Sequence, residues 1–372
     1  MFTQLLEREP VRRVLGSRAV ALATAPHGVD RYLDQLRPTW AGDEVRATVV
    51  DVEHETSDVV TLTLRPGRGW KPGQGGQHVS IGVEIDGRRH TRSFSIASSA
   101  YRADGLFQVT VKANPDGIVS RHLVTHARAG LTVTLSDPAG DFTLPTERPD
   151  RLLLISGGSG ITPVMSLLRT LLDEGHRGQV TFLHYARTVD HVIFADEVGA
   201  VADDHPNVAV HIVTTREPSR AGELTGRFGV DHVELVAADL RTVETYACGP
   251  VGLVDAVLDH WEAAGATERL HVERFQPAPS AASPTSDAPG GEVRYAASDL
   301  TVTSDGRTLL EQAESAGLNP AFGCRMGVCH TCTRRKVSGI VRDARTGTLS
   351  ASSEQPIQIC VSTPISDIVV DL

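Results

Sequence analysis

No stretch of this chain approaches the roughly 20 consecutive apolar residues that cross a bilayer, so the sequence reads as a soluble protein. Arg12, Arg13 and Arg18 precede an apolar run from Ala19 to Ala25. That run is too short for a secretory signal and no small-residue cleavage site follows it. Positive charge is in deficit: 36 Lys plus Arg against 46 Asp plus Glu leave a net charge of −10, which argues against nucleic acid as a partner. Lysine is scarcer still, with only Lys71, Lys112 and Lys336. This arginine bias reads as codon usage and carries no functional inference. Cysteine is missing from most of the chain: Cys248 stands alone before Cys324, Cys329, Cys332 and Cys360. Such clustering excludes a disulfide framework and points to a cofactor site in a reducing, cytoplasmic compartment.

What is present is globular. Hydrophobic residues at 40% and charged residues at 22% exclude wholesale disorder, and 372 residues suggest two or three domains. Residues 276–291, rich in Pro, Ala, Ser and Gly, have almost nothing to bury and read as a linker. Before it, residues 44–148 show short alternating runs (Val45 to Val52, Val59 to Leu64, His78 to Ile85, Phe107 to Val111, Leu131 to Leu135) separated by turn signals such as Asp86-Gly87. They predict an antiparallel β-barrel. Over residues 149–275, strand-like runs (Leu152 to Ile155, Val180 to Tyr185, Val208 to Val213, Val243 to Ala247) alternate with helix-like ones (Val164 to Leu172, Val251 to Ala264). That pattern predicts an α/β domain with a parallel sheet. Residues 1–43 form a leader with partly helical spacing, read as a helix packed on the body or as a docking element at a membrane surface.

Cys324-x4-Cys329-x2-Cys332, followed by Cys360, has the spacing of a plant-type 2Fe-2S site held by four thiolates. Zinc sites with four cysteines usually pair two short knuckles instead of taking a five-residue step. On this motif residues 292–372 resemble a plant-type ferredoxin domain, and the resemblance implies an α+β β-grasp fold. The tail is nearly charge-balanced, with Arg325, Arg334, Arg335 and Lys336 on or after the cysteine loop. An acidic or neutral face on the electron acceptor is therefore expected.

In the barrel, Arg92-Ser93-Phe94-Ser95 supplies an arginine for a pyrophosphate, an aromatic ring for stacking and hydroxyls for a ring nitrogen. Gly117-Ile118-Val119-Ser120 can open a helix whose free N–H groups face an anion, or can be a plain serine-capped turn. Ile155-Ser156 runs into Gly157-Gly158-Ser159-Gly160-Ile161-Thr162-Pro163, a strand, a glycine turn and a helix start suited to a dinucleotide pyrophosphate. It is not the strict G-x-G-x-x-G string. Cys248-Gly249-Pro250 makes a second such turn, and Glu273-Arg274-Phe275 closes the segment.

In this order the motifs of residues 44–275 resemble the ferredoxin–NADP reductase family. The resemblance implies that Arg92, Ser93, Phe94 and Ser95 hold FAD, with Ser95 near the position that accepts hydride, and that Gly117 to Ser120 bind its pyrophosphate. It implies that Gly157, Gly158, Ser159, Gly160, Ile161 and Thr162, with Cys248, Gly249 and Pro250, bind the nicotinamide nucleotide, and that Phe275 lies at the flavin. Phe94 replaces the family's usual Tyr and loses one hydroxyl contact. Arg187, Thr215, Arg216 and Arg220 stand where NADPH-preferring members contact the 2′-phosphate, so NADPH is expected, with NADH the alternative. Ser95, Cys248 and Phe275 are the expected catalytic residues.

The implied activity is an electron-transfer reductase: NADPH to FAD to the cluster to an external metal oxygenase. The leader, with Leu36-Arg37-Pro38-Thr39-Trp40, is similar to that of reductases serving membrane acyl-CoA or fatty-acid desaturases. That places the chain, through its partner, at the inner face of the membrane. A reductase component of a soluble Rieske or multicomponent hydroxylase using NADH is the alternative. A redox-sensing module without turnover is the alternative of another class.

Overall fold

A computed structural model describes residues 45–275 other than 68, 116, 218–223 and 237–238, and residues 291–372 other than 319, 323–326, 328–331 and 345–346. The leader, nearly all of the expected linker, Arg220, Cys324, Cys329 and Arg325 lie outside the described residues.

The first unit is a six-stranded antiparallel sheet in the order β4-β3-β6-β1-β2-β5. Its strands are β1 (Arg46–Thr56), β2 (Val59–Pro66), β3 (His78–Ile85), β4 (Arg88–Ser95), β5 (Phe107–Lys112) and β6 (Thr132–Leu135). A bridge between Ile96 and Val109 brings its two ends together, and the interior is filled by Val49, Leu62, Ile81, Val109 and their neighbours. Helix α1 (Ile118–His126) plugs one end with Val119 and Leu123.

One turn fixes the register that matters. Asp86 and Gly87 both take positive φ, 51° and 70°, as a two-residue hairpin of the favoured twist requires. The tight turn pairs Ile85 with Arg88 and so sets Arg92 against Ile81, Phe94 against Val79 and Ser95 against His78.

The second unit is a five-stranded parallel sheet in the order β11-β10-β7-β8-β9. It comprises β7 (Arg151–Gly157), β8 (Gln179–Ala186), β9 (Val208–Thr214), β10 (Glu244–Gly249) and β11 (Leu270–Arg274). Helices α2 (Ile161–Asp173), α3 (Ala195–Asp204), α4 (Val230–Val236) and α5 (Val251–Ala263) accompany it. Strand β11 and helices α3 and α4 are not among the runs read from the sequence. β11 is short and only half buried, and α3 buries just Val198 and Val201, so neither leaves a strong periodic signature.

The barrel and the parallel sheet share one core. Val59, Ala97, Phe142 and Leu144 pack in the same cluster as Leu154, Val164, Leu168, Phe182 and Tyr246. A polar stitch reinforces it: Ser166 of α2 accepts from the Gly76 N–H at 3.1 Å and donates to the Ser98 carbonyl at 2.7 Å.

The C-terminal unit has its own core around Val293, Tyr295, Leu310, Ile359 and Val370. A five-stranded sheet runs in the order β13-β12-β19-β14-β17 beside a three-stranded one, β16-β15-β18. Their strands are β12 (Glu292–Tyr295), β13 (Leu300–Thr303), β14 (Thr333–Ser338), β15 (Val341–Asp343), β16 (Leu349–Ser350), β17 (Gln355–Gln358), β18 (Ser362–Pro364) and β19 (Ile368–Val370). Helix α6 (Leu309–Ser315) starts in a capping box of Thr308 and Glu311, which satisfies two otherwise orphaned groups.

Lys336 corrects an expectation. It is fully buried and donates to the carbonyls of Gly339 at 2.9 Å and Ser350 at 2.5 Å, so it cannot belong to a basic docking face. Arg335 is exposed but paired with Glu354 and Asp371.

Gly76 has φ +88°, and a Cβ there would collide with the Phe142 carbonyl oxygen. Gly76→Ala is expected to lose at least about 2 kcal/mol by combined strain and overpacking, measured by chemical denaturation. A stability equal to wild type would contradict the shared core.

Candidate active site

Strand β4 carries the four motif residues side by side. Phe94 packs partly into the barrel core, while Ser93 shares a hydrogen bond with Ser80 at 3.1 Å. Ser95 is 5% exposed, and its Oγ has no hydrogen-bond partner among the described residues. A buried hydroxyl left unsatisfied is costly, and one that faces a flavin ring nitrogen would be satisfied. Arg92 lies with its guanidinium 5.5 Å from the ring centre of Phe322, immediately before the cysteine loop of the third unit.

The helix-opening segment behaves differently from its expected role. Val119 is wholly buried in the barrel core. Ser120 Oγ accepts from the Asn114 N–H at 3.1 Å, and Ile118 is 52% exposed. The Gly117 N–H is already taken by the Asn114 carbonyl at 2.9 Å, which leaves the N–H groups at the start of α1 as the ones a helix N-terminus offers to an anion.

Opposite the barrel, the carboxyl ends of the parallel strands present a row of polar residues. Alternation continues the face of Leu152 and Leu154 to Ser156, that of Phe182 to His184, and that of Tyr246 to Cys248. In register, His184 pairs Ser156, Ser156 pairs Cys248, and Cys248 pairs Glu273. Ser156 Oγ and His184 Nδ1 are 2.8 Å apart, and burial pushes the His184 imidazole down to about 3, so it is neutral. Burial, with Glu273 alongside, drives the Cys248 thiol well above its usual value, and burial alone pushes the Glu273 carboxyl up to about 8. Glu273 Oε1 lies 3.8 Å from His78 Nδ1 of the barrel. This seam therefore gathers Ser95, His78, Cys248 and Glu273, and Phe275 packs against the same core. Glu273 entered the sequence reading only as part of the closing string. Its burial was not visible because β11 has no strong pattern.

The glycine turn meets the second turn directly. A Cβ on Gly160 would collide with the Cys248 carbonyl, and one on Gly157 would come within 2.6 Å of Leu253. Thr162 Oγ1 donates back to the Ser159 carbonyl at 3.0 Å, and Ile161 is fully buried. Beside this turn opens a hollow of about 630 Å³ lined by Gly157, Gly158, Ser159, Pro250, Arg187, Thr215, Arg216 and, unanticipated, Lys112, Arg227 and Phe228. Arg227 is the next cation after Arg220, seven positions on, and no motif in the string marks it. A larger hollow of about 740 Å³, lined by Glu53, Glu55, Arg169 and Asp196 among others, holds none of the expected site residues.

In the third unit Cys332 and Cys360 are buried and lie within one core cluster. Two adjacent protected thiols, with Cys324 and Cys329 close in sequence, form a donor set suited to an iron–sulfur cluster.

The site defines a class: a flavin- and dinucleotide-dependent oxidoreductase with an attached iron–sulfur domain. Comparison bears this out. Residues 48–144 match the oxidoreductase FAD-binding domain, 154–259 the oxidoreductase NAD-binding domain and 295–364 the 2Fe-2S iron–sulfur cluster binding domain. The chain is 39% identical to an NADPH oxidoreductase of Mycobacterium tuberculosis, over 95% of this chain and 91% of that protein. It is 31% identical to a glycine betaine monooxygenase reductase subunit of Pseudomonas aeruginosa, over 90% of this chain and 96% of that protein. The structure of phthalate dioxygenase reductase shares the fold with a TM-score of 0.61 at 22% identity, covering 89% of this chain and 98% of that one. The chain belongs to the family of ferredoxin–NADP reductase-type flavoproteins with a C-terminal 2Fe-2S domain, and is an NAD(P)H-dependent flavin and iron–sulfur oxidoreductase.

A carboxyl raised in the folded state stabilises the fold while protonated. For Glu273 that contribution is complete below its unfolded value of 4.5 and is lost as pH rises toward about 8. The loss is bounded at about 5 kcal/mol, reduced by the partial solvent contact of this side chain. Glu273→Gln is expected to flatten the decline in unfolding free energy between pH 5 and pH 8. Identical curves for both proteins would show that the carboxyl is not held protonated.

Proposed function

We propose that this chain takes electrons from NADPH, passes them through FAD to its 2Fe-2S cluster and delivers them to an external metal oxygenase. Four cations that line the hollow beside the glycine turn, Lys112, Arg187, Arg216 and Arg227, carry the NADPH part of the reading. Arginine offers planar paired donors that suit a 2′-phosphate. The name of the Mycobacterium tuberculosis relative supports the same choice. Arg220 stays an expectation from sequence.

In this reading Arg92, Phe94 and Ser95 hold the flavin, and the backbone of Gly117–Ser120 receives its pyrophosphate. Gly157–Thr162, Gly249 and Pro250 seat the dinucleotide. Cys248 bounds the nicotinamide, and Phe275 lies at the flavin. Cys324, Cys329, Cys332 and Cys360 ligate the cluster. When bound, the flavin accepts a hydride and releases electrons singly, and the cofactors carry the redox chemistry. The chain contributes position and a Glu273 carboxyl that burial raises to about 8.

For the acceptor, the leader's resemblance puts a membrane acyl-CoA or fatty-acid desaturase first. Among the described residues no helix is long and apolar enough to cross a membrane; membrane contact through that partner stays an expectation from sequence. The Pseudomonas aeruginosa relative, by name a monooxygenase reductase subunit, favours a soluble oxygenase as the second reading.

Anaerobic titration with NADPH and then NADH, following flavin bleaching and cluster absorbance together, tests the nucleotide. Arg216→Ala with Arg227→Ala is expected to raise KM for NADPH roughly 10- to 100-fold, the loss of charge-assisted hydrogen bonds, and to leave that for NADH nearly unchanged. Equal bleaching by both nucleotides would remove the preference. Cys360→Ser is expected to abolish cluster absorbance and cytochrome c reduction while ferricyanide reduction continues. A protein that oxidises NADPH slowly with either acceptor would be a sensor instead. Double-bond formation with a desaturase in membranes, against product with a soluble Rieske oxygenase, decides the acceptor.

A further inference from the structure

Resting on the reading above, in which Arg92 holds the flavin, one guanidinium faces two units at once. Its central carbon lies 5.5 Å from the ring centre of Phe322, across the boundary between the barrel and the iron–sulfur unit. The core of that unit, around Val293, Leu310 and Ile359, is separate from the two clusters to which the barrel contributes. Contacts at the surface therefore decide whether the iron–sulfur unit rests on the barrel.

Each partner is fixed by its own unit. Arg92 stands opposite Ile81 in the hairpin, and its Nη1 donates to the Thr91 carbonyl at 2.8 Å, which orients the guanidinium. Phe322 packs half-buried against the third core, and Arg334 of β14 donates to the carbonyl of the preceding Ala321 at 3.5 Å. Phe322 comes two residues before Cys324, so a hold on its ring is a hold on the start of the cysteine loop. The other cations near that loop do not bridge to the barrel. Arg335 is paired with Glu354 and Asp371 of its own unit, and Lys336 is enclosed on the carbonyls of Gly339 and Ser350.

We propose that Arg92 couples flavin binding to docking of the iron–sulfur unit: FAD fixes the guanidinium by its edge, and the fixed guanidinium holds Phe322 on its face. A guanidinium donates hydrogen bonds in its own plane and stacks on aromatic rings with its faces. The two uses run in different directions and do not compete. An arginine with no phosphate at its edge samples more rotamers, and ordering it for the ring alone costs more entropy. Coupling of this kind is reciprocal. Phe322, contributed by the iron–sulfur unit, strengthens FAD binding by the same factor by which FAD strengthens docking. The outcome is an order of assembly: a barrel without flavin, which has no electrons to give, holds the cysteine loop less firmly than a loaded one.

The test uses the full-length protein with its cluster intact and its flavin removed, then titrated back with FAD while the quenching of flavin fluorescence gives Kd. Phe322→Leu is expected to raise that Kd roughly 2- to 30-fold, the worth of a cation–π contact expressed as a ratio. Phe322→Tyr, which keeps the ring face, is expected to bind FAD as the wild type does. Cluster absorbance is expected to be the same in all three proteins, which separates loss of the ring from damage to the iron–sulfur unit. Wild-type affinity in Phe322→Leu would overturn the coupling, as would equal weakening by leucine and tyrosine. A second measurement needs no variant and decides the matter even if Phe322→Leu loses its cluster. Small-angle X-ray scattering of the wild type is expected to give a smaller radius of gyration with FAD than without. A wild type that takes up no FAD removes the reductase reading itself, whereas one that binds FAD with an unchanged radius removes the coupling alone.

Discussion

The site depends on one apolar contact: the core in which Val59, Ala97 and Phe142 of the barrel lie against Leu154, Val164 and Leu168 of the parallel sheet. Buried apolar area contributes on the order of 25 cal/mol per Å², and here it is spent on joining two units that would otherwise hinge. With that contact fixed, the start of β3 reaches the end of β11, where His78 Nδ1 lies 3.8 Å from Glu273 Oε1. The polar residues of the seam make few bonds to one another. Packing beneath them holds them in place.

Glycine does complementary work where the two turns touch. Gly160 lies against the Cys248 carbonyl, a place where any side chain collides. The glycine turn thereby couples the end of β7 to the end of β10, and both strands deliver a residue to the polar row. On the proposed reading, a dinucleotide on that turn would lie beside the thiol because of this one close approach.

Much of this was legible in the string of residues, and the reasons differ from place to place. Strands β1 to β3 and β7 to β9 show because their runs are apolar or alternate: β2 and β7 are buried almost throughout, and β1 alternates buried with half-buried positions at its start. Asp86-Gly87 announced a hairpin, and its register then placed Arg92, Phe94 and Ser95. The cysteine spacing announced the third unit. Illegible were elements whose burial is shallow, β11 and α3, and with β11 the burial of Glu273. His78 read as one of 15 scattered histidines. Its approach across the seam is to a residue 195 positions away, a separation that no local pattern encodes. The expected basic face near the cysteines failed for a related reason: a charge run says nothing of which side chain turns inward, and Lys336 does.

That inward lysine has a practical consequence. Of three lysines, Lys71 is exposed and Lys112 is partly so, both on the barrel, while Lys336 lies wholly enclosed with two carbonyls around its ammonium. Side-chain amine chemistry applied to the folded protein, such as dye coupling or immobilisation on an activated resin, would therefore fall on the flavoprotein half. The iron–sulfur half would stay unmodified and open to its partner, an orientation set by the chain itself.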